Sequence, residues 1–206
     1  MTRPVFYLLA GPNGAGKSTL YASAVAAGLI PEQAEFVNAD LHEAAHLQQV
    51  GDPQKRSEQA RHWADQRRDQ CLREGTTFVS ETVFSHPSKL ALISAAQAAS
   101  FSVVLLVVCV DDPRQLLMRV RQREQEGGHG VPADRILARY PRTVAHLSQA
   151  VRLVDLALLY DTSRPRNRVV QPPRLVGRCR AGKVVWRDAS APPAWLARVL
   201  DVPQAS

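Results

Sequence analysis

The stretch LLAGPNGAGKSTL, residues 8–20, decides the fold. It sets Gly11, Pro12, Asn13, Gly14, Ala15, Gly16, Lys17, Ser18 and Thr19 between an apolar run that reads as a strand and a run that reads as a helix. From Gly11 to Ser18 it fits the pattern GxxxxGK[ST]. Backbone N–H groups can converge on a polyphosphate only where side chains do not obstruct the turn, a need that Gly11, Gly14 and Gly16 meet. Lys17 is then placed to reach the β and γ phosphates and Ser18 to ligate Mg2+, while the helix that begins there directs its positive end at the anion. A plain glycine turn is the competing reading, and the strand before and helix after weigh against it. A nucleotide cradle names no reaction, because switches, motors and kinases share it.

Outward from this loop, strand-like runs at 4–10, 35–39, 76–81, 102–110 and 156–161 alternate with helical patterns at 17–27, 41–73 (broken near Gly51-Asp52-Pro53), 87–99, 113–126 and 132–152. The alternation predicts an α/β fold, a P-loop kinase-like three-layer sandwich on a five-stranded, mostly parallel sheet. After residue 163 the chain changes character. SRPRNRVVQPPR (163–174) reads as a connector, LVGRCRAGKVVWR (175–187) as a hairpin turning near Ala181-Gly182, and PPAWLARVL (192–200) as a short closing helix. With 206 residues the default is one domain over 1–206, its core at 4–163 and the C-terminal hairpin and helix at about 168–200.

Composition narrows the class. VFYLLA lacks a signal peptide's length and VVLLVVCV (103–110) falls short of a membrane span, so a soluble, unprocessed protein is expected. Cys71, Cys109 and Cys179 are odd in number, far apart and show no CxxC spacing, which fits a reducing cytoplasm. The net charge is +7, and Lys17, Lys55, Lys89 and Lys183 are the only lysines among 26 basic residues. Arginine grips phosphate as a planar fork, so the surplus points to phosphorylated ligands or nucleic acid, against the plainer reading of solvated surface charge.

The carboxyl ends of the strands, where open parallel sheets bind ligands, carry the candidate side chains. Asp40, closing FVNAD (36–40), is either a general base for an acceptor hydroxyl or the cap of the following helix. Glu81 and Thr82 sit at the equivalent place in FVSETVFSHPSK (78–89). Glu81 can hold a second substrate or a magnesium-bound water; Thr82 and Ser85 either contact substrate or serve turn and cap chemistry. Asp112-Pro113 reads as a helix cap and its first-turn proline, leaving Asp111 as an alternative carboxylate on the magnesium side. Arg119 and Arg123 share one helical face, as do Arg135, Arg139 and Arg142 on the next helix, and a glycine turn containing His129 joins the two. Such a pair of helices, about 119–142, suits a lid that delivers charge to a phosphoryl transition state; solvated faces are the alternative. His129 reads as a hinge or lid contact rather than a catalytic group.

Taken in order, GPNGAGKST, FVNAD, FVSETVFSHPSK, RVRQREQEGGHGVP, RYPRTVAHL and LALLYDTS resemble the zeta toxin family of P-loop kinases, in its compact, often chromosomal branch, over residues 4–163. The resemblance implies a Mg2+-dependent kinase using ATP or GTP. It implies UDP-N-acetylglucosamine, a nucleotide sugar, as the small-molecule acceptor and a small antitoxin protein as partner. By it Lys17 is the phosphate lysine, Asp40 the base, Glu81, Thr82 and Arg142 substrate contacts, and Arg119, Arg123 and Arg139 the catalytic lid charges. Two other readings stand beside it: a nucleic-acid-associated P-loop switch, disfavoured by the lack of an aromatic-interleaved basic motif, and a polynucleotide or other metabolite kinase.

Overall fold

The computed structural model describes residues 3–126, 130–163 and 172–201. In chain order the elements are β1 Val5–Ala10, α1 Lys17–Ala26, β2 Glu35–Val37, α2 Ala39–His46, α3 Pro53–Glu74, β3 Phe78–Thr82, α4 Ser88–Ala98 and β4 Ser102–Cys109. They continue as α5 Arg114–Gln125, α6 Ala133–Leu153, β5 Leu156–Asp161, β6 Arg174–Arg180, β7 Lys183–Arg187 and α7 Ala194–Leu200. His129, with Gly127 and Gly128, and residues 164–171 of the connector lie outside the described residues.

The strands form one sheet in the order β2-β3-β1-β4-β5-β6-β7, parallel through β5 and antiparallel beyond it. The five expected strands are all present, and the sheet has seven because the C-terminal hairpin pairs its first strand with the free edge of β5. An antiparallel strand can be added to a parallel sheet through a short return, which is how these doubly wound folds often end. The hairpin turns where expected, with Ala181 and Gly182 both at positive φ, 46° and 75°, as a two-residue turn between twisted strands requires.

Burial follows the apolar runs. β1 and β4 are the central strands, and Phe6, Leu8, Leu9, Leu105, Leu106 and Val107 are fully buried between helices, as strands covered on both faces must be. The parallel order places the carboxyl ends of β2, β3 and β1 side by side, with Leu9 in register with Glu81 and Val37 with Ser80. The loop after β1, the residue after β2 and the end of β3 therefore converge on one edge.

α7 is locked back onto that edge of the sheet. Trp195, buried, donates its backbone N–H to Asp111 Oδ1 at 2.9 Å and its indole N–H to buried Asp161 Oδ1 at 3.0 Å. Arg174 lies 3.9 Å from Asp161 and also binds Asp188 and the Ala191 carbonyl. Asp111 Oδ1 thus serves the start of α7, and Asp111 is not among the residues that line the cleft around Lys17. Asp112 accepts the Arg114 N–H at 2.9 Å, the structural task its place before Pro113 suggests.

Candidate active site

α1 begins at Lys17 after Gly16, which has φ 95° and no side chain with which to cap the helix. The first N–H groups of a helix have no intrahelical partner, so those of Lys17, Ser18 and Thr19 are left for an anion. Gly14 is at φ 78°, and a Cβ there would stand 2.9 Å from the Leu116 carbonyl oxygen; at Gly11 it would stand 2.1 Å from that of Val108. The glycines are needed on the outer side of the loop as well as the inner, because α5 and β4 pack directly behind it.

Lys17 is buried, and its ammonium donates to the carbonyls of Gly11 at 3.0 Å and Pro12 at 3.2 Å while lying 3.5 Å from Glu81. Burial lowers its pKa below the ordinary 10.5, Glu81 and Asp40 oppose that shift, and Arg123 adds to it. Glu81 also accepts a hydrogen bond from Asn38 Nδ2 at 3.2 Å. Asn38 Oδ1 in turn accepts from the N–H groups of Asp40 and Leu41, so Asn38 is the cap of α2. This settles one alternative: Asp40 lies inside the first turn, its carboxylate not used for capping.

These groups line a cleft of about 300 Å3 shared by Asn13, Lys17, Asn38, Asp40, Glu81, Thr82, Arg123 and Arg139. The expected lid arginines separate here. Arg123 and Arg139 reach the cleft. Arg119 is braced against the outside of the loop, donating to the Gly14 carbonyl at 3.4 Å, to Thr162 Oγ1 at 3.0 Å and to the Thr162 carbonyl at 2.6 Å. Thr162 Oγ1 continues the brace to the Ala15 carbonyl at 2.9 Å. Arg142 is exposed and donates to Ala138 on its own helix. Thr82 accepts the N–H of Phe84, a residue at φ 61°, and so is engaged in the turn after β3.

The opposite wall holds residues that the sequence reading did not single out. Arg61, Ala64, Asp65 and Arg68 recur at helical spacing and turn one face of α3 to the cleft, joined by His86 and Lys89 at the start of α4. Arg68 is buried, donating to Ser80 Oγ at 3.4 Å and binding Asp65. The Lys89 ammonium makes no hydrogen bond or ion pair among the described residues, and burial first and then Arg68 lower its pKa, with only Asp65 opposing. Arg61, Arg68 and Lys89 therefore stand against one carboxylate. The spacing 61, 64, 65, 68 was available in the sequence, but nothing local said that this face of α3 would be turned toward Lys17.

Ser18 is exposed at the first turn of α1, and its hydroxyl is an oxygen donor of the kind that suits Mg2+. No group of three or more His, Cys, Asp or Glu residues able to hold a metal occurs among the described residues, so such an ion would be shared with phosphate oxygens, the usual arrangement for magnesium at a triphosphate.

The strand order, the glycine loop after β1 and the uncapped helix behind it define a P-loop protein of kinase-like fold. Residues 7–143 match the AAA domain family model, and the chain belongs to that family. Its fold is similar to a structure of the PezAT chromosomal toxin–antitoxin system of Streptococcus pneumoniae (TM-score 0.59, 15% identity, covering 86% of this chain and 72% of the other). It is similar also to AvrRxo1-ORF1:-ORF2 with ATP (TM-score 0.68, 17% identity), where it aligns over 99% of its length with 65% of the larger chain. A third is the Pnkp1/Rnl/Hen1 RNA repair complex (TM-score 0.53, 19% identity, 72% of this chain and 47% of the other). No curated protein sequence matches. Among the described residues no helix is long and apolar enough to cross a membrane.

Proposed function

We propose that the chain, read as one domain over 1–206, is a Mg2+-dependent kinase that moves the γ-phosphoryl group of ATP or GTP onto a hydroxyl of a small anionic metabolite. The observation that carries this reading is the common cleft. Lys17 of the loop, the acidic residues Asp40 and Glu81, and the arginines Arg123 and Arg139 all line one volume of about 300 Å3. Its far wall is cationic, which favours an acceptor that carries its own phosphate.

The loop amides and Lys17 hold the triphosphate. Lys17 leaves the carbonyls of Gly11 and Pro12 for the β and γ phosphates, while Glu81 and Asn38 keep the ammonium in place. Asp40 accepts the proton of the acceptor hydroxyl as its oxygen bonds to the γ phosphorus and the bond to the leaving nucleoside diphosphate breaks. Arg123 and Arg139 balance the charge on the transferring group, and Arg119 fixes the loop from behind. Ser18 would hold Mg2+ together with the phosphates, and the ion would supply further charge neutralisation. Glu81 and Thr82 border the acceptor.

The resemblance to zeta toxins and the likeness of fold to a toxin–antitoxin structure support the same chemistry in a toxin with an antitoxin partner, with a nucleotide sugar such as UDP-N-acetylglucosamine as the first acceptor to test. Asp40→Asn is the decisive variant. ATP binding by calorimetry is expected to be unchanged while transfer, read with labelled ATP against UDP-N-acetylglucosamine, other phosphorylated metabolites and polynucleotide ends, falls about 10^2- to 10^4-fold. Transfer that survives the substitution removes Asp40 as the base.

A further inference from the structure

β7 ends the sheet, and its outer edge has no backbone partner among the described residues. All five of its residues are exposed, including Val184, Val185 and Trp186 at 47%, 55% and 45%. An uncovered edge with a continuous run of apolar residues is a template for a further strand, and proteins usually blunt it with charge, proline or a cover. Here the charges lie at the two ends, Lys183 and Arg187, and the apolar centre is bare.

The charged residues of the two hairpin strands are all of one sign, with Asp188 and Asp201 next to them paired to Arg174 and Arg187. Across the hairpin Lys183 stands opposite Arg180 and Trp186 opposite Arg178. Like charges directly opposite one another destabilise a strand pair, and Arg178, Arg180 and Lys183 have no ion-pair partner among the described residues; Arg187 lies 3.6 Å from exposed Asp201. Beyond the end of β7 a cavity of about 330 Å3 opens against α7, lined by Arg187, Pro193, Leu196, Ala197 and Leu200 among others.

We propose that β7 is a docking edge for an extended acidic segment of a partner protein, which adds an eighth strand to the sheet and seats an apolar side chain in the cavity beside α7. Main-chain pairing supplies the affinity of such strand addition and side-chain pockets its specificity. A second copy of this chain is a poor occupant: antiparallel pairing about Val185 sets Lys183 of each copy against Arg187 of the other. A nucleic acid cannot use the row of free backbone N–H and C=O groups. β4, β5 and β6 separate this edge from β1, so the proposal does not rest on the catalytic reading.

The full chain is titrated with three fluorescein-labelled peptides by anisotropy: alternating glutamate with valine and isoleucine, its lysine counterpart, and the acidic peptide with a central proline. The acidic peptide is expected to bind at least tenfold more tightly than either of the others and to slow hydrogen exchange at the amides of residues 183–187. Arg180→Glu with Lys183→Glu is expected to cost the acidic peptide tenfold or more and to leave ATP binding unchanged. Equal binding of the acidic and proline peptides, unchanged exchange over 183–187, or a concentration-dependent dimer that protects the same amides overturns the proposal, and these outcomes need no variant to fold.

Discussion

At the nucleotide end of the cleft the binding groups are backbone amides and one lysine drawn from consecutive residues, Gly11–Thr19. At the wall that the proposed function gives to the acceptor, the lining groups are side chains gathered from α3, α4 and the ends of two strands: Arg61, Arg68, Lys89, Asn38 and Glu81. The first end is set largely by local conformation, since Gly14 and Gly16 adopt positive φ, and the absence of a Cβ at Gly11 and Gly14 lets β4 and α5 pack behind it. The second exists only because the strand order puts β2 and β3 beside β1 and turns one face of α3 inward. One site is written in a loop; the other is written in the topology.

The contrast predicts that damage at the two ends separates. Lys17→Ala is the largest expected effect: it removes the ammonium from both the triphosphate and Glu81, and transfer falls by about 10^3-fold, read as kcat with γ-labelled ATP. Weakened ATP binding in calorimetry accompanies it. Arg68→Ala belongs to the other end. ATP affinity stays within about twofold, and the acceptor KM rises roughly 10- to 100-fold, the worth of one hydrogen bond to a charged group. Should Arg68→Ala instead weaken ATP as much as the acceptor, the division of the cleft into two ends is wrong.

How much could be read beforehand follows the same division. The loop, the order of strands and helices, and the hairpin turn at Ala181-Gly182 were legible because each rests on residues adjacent in the chain. Asp40 was located but its alternative role was not settled, because Asn38, two residues earlier, carries the cap and also holds Glu81. Arg119 and Arg123 share a helix face, yet α5 lies so close to the loop that Arg119 is spent on Gly14 and Thr162 while Arg123 reaches the cleft. The addition of β6 to β5, and the tie from Asp111 and Asp161 to Trp195, the latter across more than thirty residues, depend on contacts distant in the chain that no local pattern carries.

Arg119 tests where the boundary of the nucleotide end lies. Its guanidinium satisfies the carbonyl of Thr162 and touches that of Gly14 from a half-buried position, and burial lowers its pKa with Asp161 opposing. Arg119→Ala is expected to lower stability by about 1–3 kcal/mol, since it leaves polar groups without partners, read as the urea midpoint. It is expected to weaken ATP only severalfold. A loss of kcat comparable to that of Lys17→Ala would move Arg119 from behind the loop into the reaction.

The smallest effect sharpens the comparison through pH. In the nucleotide-free protein burial holds the Lys17 pKa below its unfolded value of 10.5, so between the two values the unfolded chain binds more protons than the folded one. Stability then rises with pH across that window, the burial penalty being full below the folded pKa and gone near 10.5. Lys17→Met removes this slope, and the difference between the two urea-unfolding profiles isolates it. Triphosphate has the opposite preference, because it binds the charged ammonium and raises the pKa that burial lowered. ATP affinity should therefore fall with pH over the same window in which the empty protein gains stability. Two slopes of the same sign would mean that Lys17 does not meet the phosphates.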